Sequence, residues 1–297
     1  MKITEAISGS RQRLSSADID EARLEAELLV SEVTGRGRGW LFLHPEGELT
    51  PEQVARLETL LSRRLKREPL PYILGRAEFY GLTFSVTPAA LIPRPETEIL
   101  VEAAVQRARM HELQYIADVG AGSGAIAVTL AKQMPKTHVV AVDVSLEALR
   151  LTRENAAAHG AADRVHPVCS NLLDGLRGAF DGIVANLPYV RADELAELQP
   201  EIRNYEPRGA LDGGPDGLEL IRRLSGQILG HLSTEGFAAL EVGAGQAVDV
   251  TKLLETAGLR AIEVLRDYGG VERVVIGWRK GKRDGQDPDS GSLCRRA

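Results

Sequence analysis

Four consecutive residues, Asn186-Leu187-Pro188-Tyr189, carry the groups needed to hold a planar NH2 group. The lone pair of such a nitrogen is delocalised, so the nitrogen is a weak nucleophile. The Asn186 side-chain oxygen and a backbone carbonyl of Leu187 or Pro188 can each accept one of its N–H bonds. This arrangement aims the lone pair and favours positive charge on the nitrogen in a transition state. Proline stiffens the loop and Tyr189 can stack on the planar group, so Asn186, Pro188 and Tyr189 are the catalytic candidates.

The same four residues also fit a plain turn, because Asn-x-Pro commonly follows a strand. Their position favours chemistry. They come directly after a strand-like apolar run, Ile183-Val184-Ala185, in a part of the chain where such runs alternate with helical patterns. In a parallel sheet, ligands bind at the carboxyl ends of the strands, which is where this motif is expected to lie.

A glycine-rich turn predicts a second binding element at the same sheet edge. Gly120-Ala121-Gly122-Ser123-Gly124 follows a strand-like run that ends in Asp118 and Val119, and Asp143 ends the next run. An acidic residue at the place of Asp143 accepts hydrogen bonds from ribose hydroxyls. The GxGxG spacing and the preceding Asp118 favour S-adenosylmethionine over NAD or FAD, whose usual pattern is GxGxxG. The predicted cofactor contacts are Asp118, Gly120, Ala121, Gly122, Ser123, Gly124, Asp143, Asn171, Leu172 and Asn186.

The composition narrows the class of protein. The chain has 297 residues, of which 43% are hydrophobic and 26% charged, as in a globular protein. No apolar run approaches the roughly 18 residues of a membrane span, and the first residues lack the apolar core of a signal peptide. Cys169 and Cys294 form neither a disulfide framework nor a metal-type spacing. We therefore expect a cytoplasmic protein without a metal site or a membrane partner.

The net charge of −6 disfavours direct binding to nucleic acid, because proteins that wrap a duplex usually carry a basic excess.

The patterns along the chain predict an α/β protein with a small helical domain in front. Apolar residues at helical spacing fill the first part of the chain, and a hairpin and three closely spaced prolines follow. Alternating strands and helices then predict a Rossmann-like parallel sheet covered on both faces, whose last strand is antiparallel because no crossover helix fits before it. The predicted divisions are a helical domain 1–76, a hairpin and Pro-rich linker 77–95, a catalytic domain 96–280 and a disordered tail 281–297.

With these motifs in place, the chain resembles the release factor glutamine N5-methyltransferases, the PrmC/HemK family. The resemblance extends over residues 1–280 and includes the glycine turn. Its other blocks are Pro71 to Gly75, Glu78 to Gly81, Leu91 to Glu98, Asn186 to Tyr189 and Tyr205 to Leu218. The Pro-rich block and the last block are more specific than the glycine turn, and related N6-adenine methyltransferases share only the reacting tetrapeptide.

The resemblance implies a substrate, the Gln of the Gly-Gly-Gln tip of class I peptide chain release factors. It also implies a seven-stranded class I methyltransferase sheet with S-adenosylmethionine as cofactor. Carried over by position, the substrate-binding residues are Asn186, Leu187, Pro188, Tyr189, Phe79, Arg94 and Glu96.

This sequence departs from the family pattern at two positions. Leu187 replaces the first proline of the usual Asn-Pro-Pro-Tyr, which shifts the expected hydrogen bonding there to backbone carbonyls and removes some rigidity. Asn171 stands where an Asp is common, at the position where the adenine contact is expected.

Three other functions use parts of the same pattern. An N6-adenine DNA or RNA methyltransferase needs the same acceptors around a flipped base, but the net charge and the lack of an evident basic recognition segment count against it. A non-catalytic Rossmann-like nucleotide-binding module explains the glycine turn and Asp143, but not Asn186, Pro188 and Tyr189. An NAD oxidoreductase lacks a convincing downstream set of His, Tyr-Lys or Cys.

Overall fold

The computed structural model describes residues 1–110 and 113–279, which form eleven α-helices and nine strands. The helices are α1 (Ile3–Ser15), α2 (Ala22–Thr34), α3 (Arg38–Leu43), α4 (Pro51–Leu65), α5 (Leu70–Leu74), α6 (Glu98–Met110), α7 (Ala125–Gln133), α8 (Leu146–Ala158), α9 (Pro200–Tyr205), α10 (Glu219–His231) and α11 (Ala247–Thr256). The strands are β1 (Arg76–Phe79), β2 (Leu82–Ser85), β3 (Tyr115–Val119), β4 (His138–Asp143), β5 (Val165–Cys169), β6 (Phe180–Ala185), β7 (Leu232–Glu241), β8 (Arg260–Arg266) and β9 (Glu272–Trp278). The disordered tail predicted for 281–297 lies outside the described residues.

A seven-stranded sheet organises the larger part of the chain. Its order is β5-β4-β3-β6-β7-β9-β8, and β3, β4, β5, β6 and β7 run parallel. β9 is antiparallel to both of its neighbours, β7 and β8. Only a short turn separates β8 from β9, so these two strands pair as a hairpin. The chain winds outward from β3 in one direction and then returns to β6 on the other side, so a crevice opens between the carboxyl ends of these two strands. The predicted α/β sheet with its antiparallel last strand is confirmed.

The sheet is covered on both faces, and its central strands are largely apolar. α6 and α7 pack on one face, together with Phe79 and Phe84 of the hairpin. α10 and α11 pack on the other face. Burial on both sides explains why the central strands read as continuous apolar runs and show no alternation.

A helical bundle precedes the sheet, as predicted. Apolar residues of α1, α2 and α4 meet in one core. The start of α4 carries a reciprocal cap: the Thr50 side chain accepts from the Gln53 backbone N–H, and the Gln53 side chain accepts from the Thr50 N–H. The division limits 1–76, 77–95 and 96–280 stay a prediction.

Buried charges connect this bundle to the sheet domain. Arg64 of α4, whose side chain is 6% exposed, binds Glu25 of α2 and Glu201 of α9. Arg67 adds a second ion pair to Glu201. The Tyr205 hydroxyl, at the end of α9, donates to the backbone carbonyl of Lys66 over 2.7 Å. The bundle is therefore fixed against the segment that follows the reacting motif.

The hairpin is tied to the sheet domain through one buried amide, Asn155 of α8. Its Oδ1 accepts from the Ser85 backbone N–H at 2.8 Å, and its Nδ2 donates to the Ser85 carbonyl at 3.0 Å and the Ser123 carbonyl at 2.9 Å. One side chain thus joins the end of the hairpin to the glycine turn.

Replacing Asn155 with alanine is expected to lower the free energy of unfolding by about 2 kcal/mol, because the buried Ser123 carbonyl and two part-buried backbone groups of Ser85 lose their partner. Chemical denaturation measures the change. Alanine at the exposed Asn204 is the matched control and should leave the unfolding midpoint near that of the wild type. An Asn155 variant as stable as this control would show that the link contributes nothing.

No helix within 1–110 and 113–279 is long and apolar enough to cross a membrane. Over the same residues, no group of three or more His, Cys, Asp or Glu side chains is arranged to hold a metal ion.

Candidate active site

A cleft of about 410 Å³ opens at the carboxyl ends of β3, β4 and β6. Its size falls in the range of small-molecule sites. Twelve predicted site residues line it, namely Phe79, Arg94, Gly120, Ala121, Gly122, Ser123, Asp143, Asn171, Leu172, Asn186, Leu187 and Pro188. The glycine turn and the reacting motif therefore share one cavity, because β3 and β6 are neighbours and end at the same level, with Val119 opposite Ala185.

The glycine turn is held open by Asp143. The Gly122 backbone N–H donates to Asp143 Oδ2 at 2.9 Å, and the Ser145 N–H donates to Oδ1 at 2.8 Å. The same carboxylate lines the cleft. Asp143 thus organises the loop and presents its charge where ribose hydroxyls are expected to bind.

Glycine is required in the turn for both conformation and space. Gly120 and Gly124 have φ of +82° and +80°, values that L side chains rarely adopt. A Cβ at Gly124 would lie 2.8 Å from Thr152 Cγ2. A Cβ at Gly120 would lie 3.1 Å from the Leu187 side chain and 3.4 Å from the Asn186 carbonyl oxygen.

The contact between Leu187 and Gly120 gives Leu187 a role that the sequence did not reveal. Leu187 is 4% exposed, and its side chain packs over Gly120. The residue that replaces the expected proline therefore joins the reacting motif to the glycine turn through apolar packing.

Asp118 lies beneath the turn, outside the cleft lining. It is fully buried, and its Oδ2 accepts from the Ala127 backbone N–H at 3.0 Å at the start of α7. Its Oδ1 has no hydrogen-bond partner among the described residues. Burial raises the pKa of Asp118 to about 7; the Ala127 N–H lowers it and the charge of Asp143 raises it. Contact between Asp118 and a cofactor amino group, through water or backbone, stays a prediction.

Two residues after β5 complete the cofactor side of the cleft. Asn171 is exposed, and its Oδ1 accepts from Arg223 at 3.1 Å. Leu172 is 5% exposed and has a positive φ of 52°. The leucine offers an apolar surface at the place where the sequence predicts adenine, while the asparagine oxygen already accepts from Arg223.

The Asn186 amide is anchored through its nitrogen. Its Nδ2 donates to Thr97 Oγ1 at 3.0 Å. Thr97 ends a short 3-10 turn, Pro95–Thr97, and is 4% exposed. The Asn186 oxygen is then the group that remains for a donor in the cleft, and its role as acceptor for a substrate stays a prediction. Among the described residues, no backbone N–H donates to the carbonyls of Leu187 and Pro188.

Tyr189 and Glu96 are not in the cleft lining. Tyr189 is partly buried behind the motif, and its pKa is raised, first by burial and then by the nearby Glu241 charge. Its phenol therefore stays neutral at physiological pH. Glu96 is exposed on the 3-10 turn. Their roles as substrate contacts stay predictions, as does that of Gly124, which lies at the base of the turn.

The segment Tyr205 to Leu218 braces the chain after the motif. The Val190 N–H donates to the Leu211 carbonyl at 3.0 Å, and the Gly213 N–H donates to the Val190 carbonyl at 2.8 Å. A Cβ at Gly217 would lie 2.4 Å from the Tyr189 carbonyl oxygen, so only glycine fits there. This block therefore supports the reacting loop.

The Pro-rich linker is fixed to the same block. Glu206, 6% exposed, accepts from the Ile92 backbone N–H at 3.2 Å and forms an ion pair with Arg94. Phe79 is 1% exposed and packs edge-on against Phe84, with ring centroids 6.2 Å apart. Both Arg94 and Phe79 reach the cleft, so they combine a bracing position with access to a ligand.

Sequence reasoning missed three residues around the motif. Gln246 donates from Nε2 to the Tyr189 carbonyl at 2.9 Å, and its Oε1 accepts from the Gly243 N–H at 2.8 Å. Thr97 and Glu241 lie behind Asn186. The signal for Glu241 was available, because it is the one charge in the apolar run from Phe237 to Val242, which ends at the edge of the sheet where the cleft lies.

Comparison with known proteins gives consistent matches over nearly the whole chain. Residues 5–75 match the model of the PrmC N-terminal domain, and residues 95–200 match the methyltransferase small domain. The release factor glutamine methyltransferase of Geobacter sulfurreducens is 42% identical over 276 residues, covering 93% of this chain and 96% of the relative. The release factor glutamine methyltransferase of Koribacter versatilis is 40% identical over 279 residues, covering 93% of this chain and 98% of the relative.

A solved structure, a ribosomal protein L11 methylase from Lactobacillus delbrueckii, superposes with a TM-score of 0.50 at 23% identity. The match covers 66% of this chain and 84% of the methylase, and it shows a shared fold.

Proposed function

The chain belongs to the release factor glutamine methyltransferase family, and we propose that it methylates the side-chain nitrogen (N5) of a glutamine. The acceptor is the Gln of the Gly-Gly-Gln motif of class I peptide chain release factors, and the donor is S-adenosylmethionine. A substrate from the translation machinery puts this reaction in the cytoplasm. The observation that carries the proposal is the meeting of Asn186 with the glycine turn in one cleft.

The cofactor side of the cleft fits S-adenosylmethionine. The turn Gly120 to Gly124 gives close access to backbone, Asp143 offers a carboxylate for ribose hydroxyls, and Leu172 offers an apolar surface. A side chain at Gly120 would intrude on the Asn186 carbonyl and Leu187. When bound, the cofactor supplies an electrophilic methyl group on a positively charged sulfur.

The residues of the reacting motif prepare the amide nitrogen for this donor. Asn186 Oδ1 accepts one N–H of the glutamine, and the backbone carbonyl of Leu187 or Pro188 accepts the other. These two bonds orient the nitrogen and stabilise the charge that develops on it. A nitrogen–carbon bond forms as the carbon–sulfur bond breaks, and the surplus proton leaves to water, so no strong base is needed before the transfer.

Incubation of the purified protein with S-adenosylmethionine and a release factor should add the mass of one methyl group to the tryptic peptide that contains Gly-Gly-Gln. Fragmentation by mass spectrometry should place the group on the glutamine side chain. A release factor with Gly-Gly-Glu is the matched control, because a carboxylate has no N–H to offer. Methyl transfer to an adenine-containing oligonucleotide, with none to the release factor, would overturn the proposal.

A further inference from the structure

A buried carboxylate lies behind the Asn186 amide and has no part in the mechanism above. Glu241 is the last residue of β7 and is 1% exposed. Its Oε2 has no hydrogen-bond partner within the described residues. Its side chain interacts with the Thr97 hydroxyl and the Asn186 amide, both of which favour its charged form. A buried carboxylate with one oxygen unpartnered is costly to maintain, so its place beside the reacting motif calls for a function.

Glu241, Thr97 and Asn186 lie next to one another, and their donors and acceptors allow one directed sequence of hydrogen bonds. Charged Glu241 can only accept, so the Thr97 hydroxyl is the donor in a bond between the two. Thr97 Oγ1 is then left to accept from Asn186 Nδ2, which lies 3.0 Å away. Both groups behind Asn186 are thus acceptors, and they select the amide orientation with nitrogen toward the protein.

This selection matters because the two ends of an asparagine amide have nearly the same shape. With the amide reversed, Asn186 would direct its own N–H groups at the glutamine nitrogen that receives the methyl group. That nitrogen also carries N–H groups, so two donors would face each other. We propose that Glu241, acting through Thr97, is a positioning residue that keeps the Asn186 oxygen turned toward the substrate amide. The inference rests on the proposed function only in naming that substrate.

Protonation should release the arrangement. Burial raises the pKa of Glu241 to about 7; Thr97, Arg273 and Asn186 lower it, and the charge of Glu96 raises it. Of the titratable groups facing it, Tyr189 has a raised pKa, so it stays neutral in this range. Protonated Glu241 can donate to Thr97, whose hydroxyl is then free to donate to the Asn186 oxygen. Turnover should therefore fall as the pH falls through about 7.

Two isosteric substitutions and one rescue test the idea. In Glu241→Gln, an N–H replaces one acceptor oxygen, and kcat should fall by roughly 10- to 100-fold, the range seen when an orienting partner is lost. In this variant, kcat should also no longer decline as the pH falls below 7. Thr97→Val removes the hydroxyl at constant shape and should lower kcat by as much. Thr97→Ser keeps the hydroxyl and should lower kcat far less. Glu154→Gln, at an exposed position on α8, is the charge-matched control.

The cofactor dissociation constant and the unfolding midpoint of each variant separate positioning from stability. A positioning role lowers kcat while both quantities stay near those of wild type. Equal losses in Thr97→Val and Thr97→Ser, or a Glu241→Gln variant with the wild-type kcat and pH profile, would overturn the inference.

An NMR measurement decides the inference without any substrate. The side-chain amide signal of Asn186, identified by its loss in Asn186→Ala, should shift with a midpoint near pH 7 in the wild type. The shift should vanish in Glu241→Gln and persist in Glu154→Gln. A signal insensitive to Glu241 refutes the inference even where methylation of the release factor occurs. A sensitive signal without that methylation refutes the proposed substrate alone.

Discussion

Replacing Asn186 with alanine is expected to leave S-adenosylmethionine binding nearly unchanged and to reduce methyl transfer by a factor of roughly 100 or more. The Asn186 oxygen is the side-chain group of the motif that can accept an N–H in the cleft, since its nitrogen is engaged with Thr97. A hydrogen bond of this kind strengthens as positive charge develops on the substrate nitrogen. Its loss therefore falls on the transition state more than on the bound substrate.

Single-turnover rates with saturating release factor measure the effect, and calorimetry measures cofactor affinity. Asn204→Ala, at an exposed position on α9, is the matched control and should react at the wild-type rate. An Asn186→Ala enzyme that turns over within about three-fold of the wild type would remove Asn186 from the mechanism. A variant that also lost cofactor affinity would indicate instead that the loop beside Gly120 had moved.

The parts of this molecule that the sequence predicted well are those with local signals. Apolar runs marked β3 and β6, two central strands whose residues are mostly buried between the layers of helices. The glycine turn and the Asn186 motif were each assigned to the end of a strand. Their common cleft then followed from the general rule that parallel strands place their carboxyl ends at one edge.

What the sequence did not reveal depends on contacts between distant segments. Thr97 and Asn186 are 89 positions apart in the chain and touch only because the Pro-rich linker folds back over the edge of the sheet. Leu187 looked like a loss of rigidity, yet its packing on Gly120 needs the register of two neighbouring strands to be known. The full burial of Asp118 beneath the glycine turn also depends on the fold, and its contact with a cofactor stays a prediction.

Replacing Asp143 with alanine is expected to weaken cofactor binding by roughly 100-fold or more, because hydrogen bonds to a charged group contribute about 1.5–3 kcal/mol each. Asp143 holds the Gly122 and Ser145 backbone N–H groups, so its removal loosens the glycine turn. It also deletes the predicted acceptor for ribose hydroxyls. The two losses act on the same bound state and should reinforce each other.

The kinetic signature of Asp143→Ala should be opposite to that of Asn186→Ala. The KM for S-adenosylmethionine should rise steeply, and much of the wild-type kcat should return at saturating cofactor, since Asn186 and Thr97 are untouched. Asp163→Ala, whose side chain is 77% exposed in the wild type, is the control for loss of one carboxylate. A fall in kcat that saturating cofactor does not relieve would mean that the turn and the reacting motif act as one unit, joined by the packing of Leu187 on Gly120.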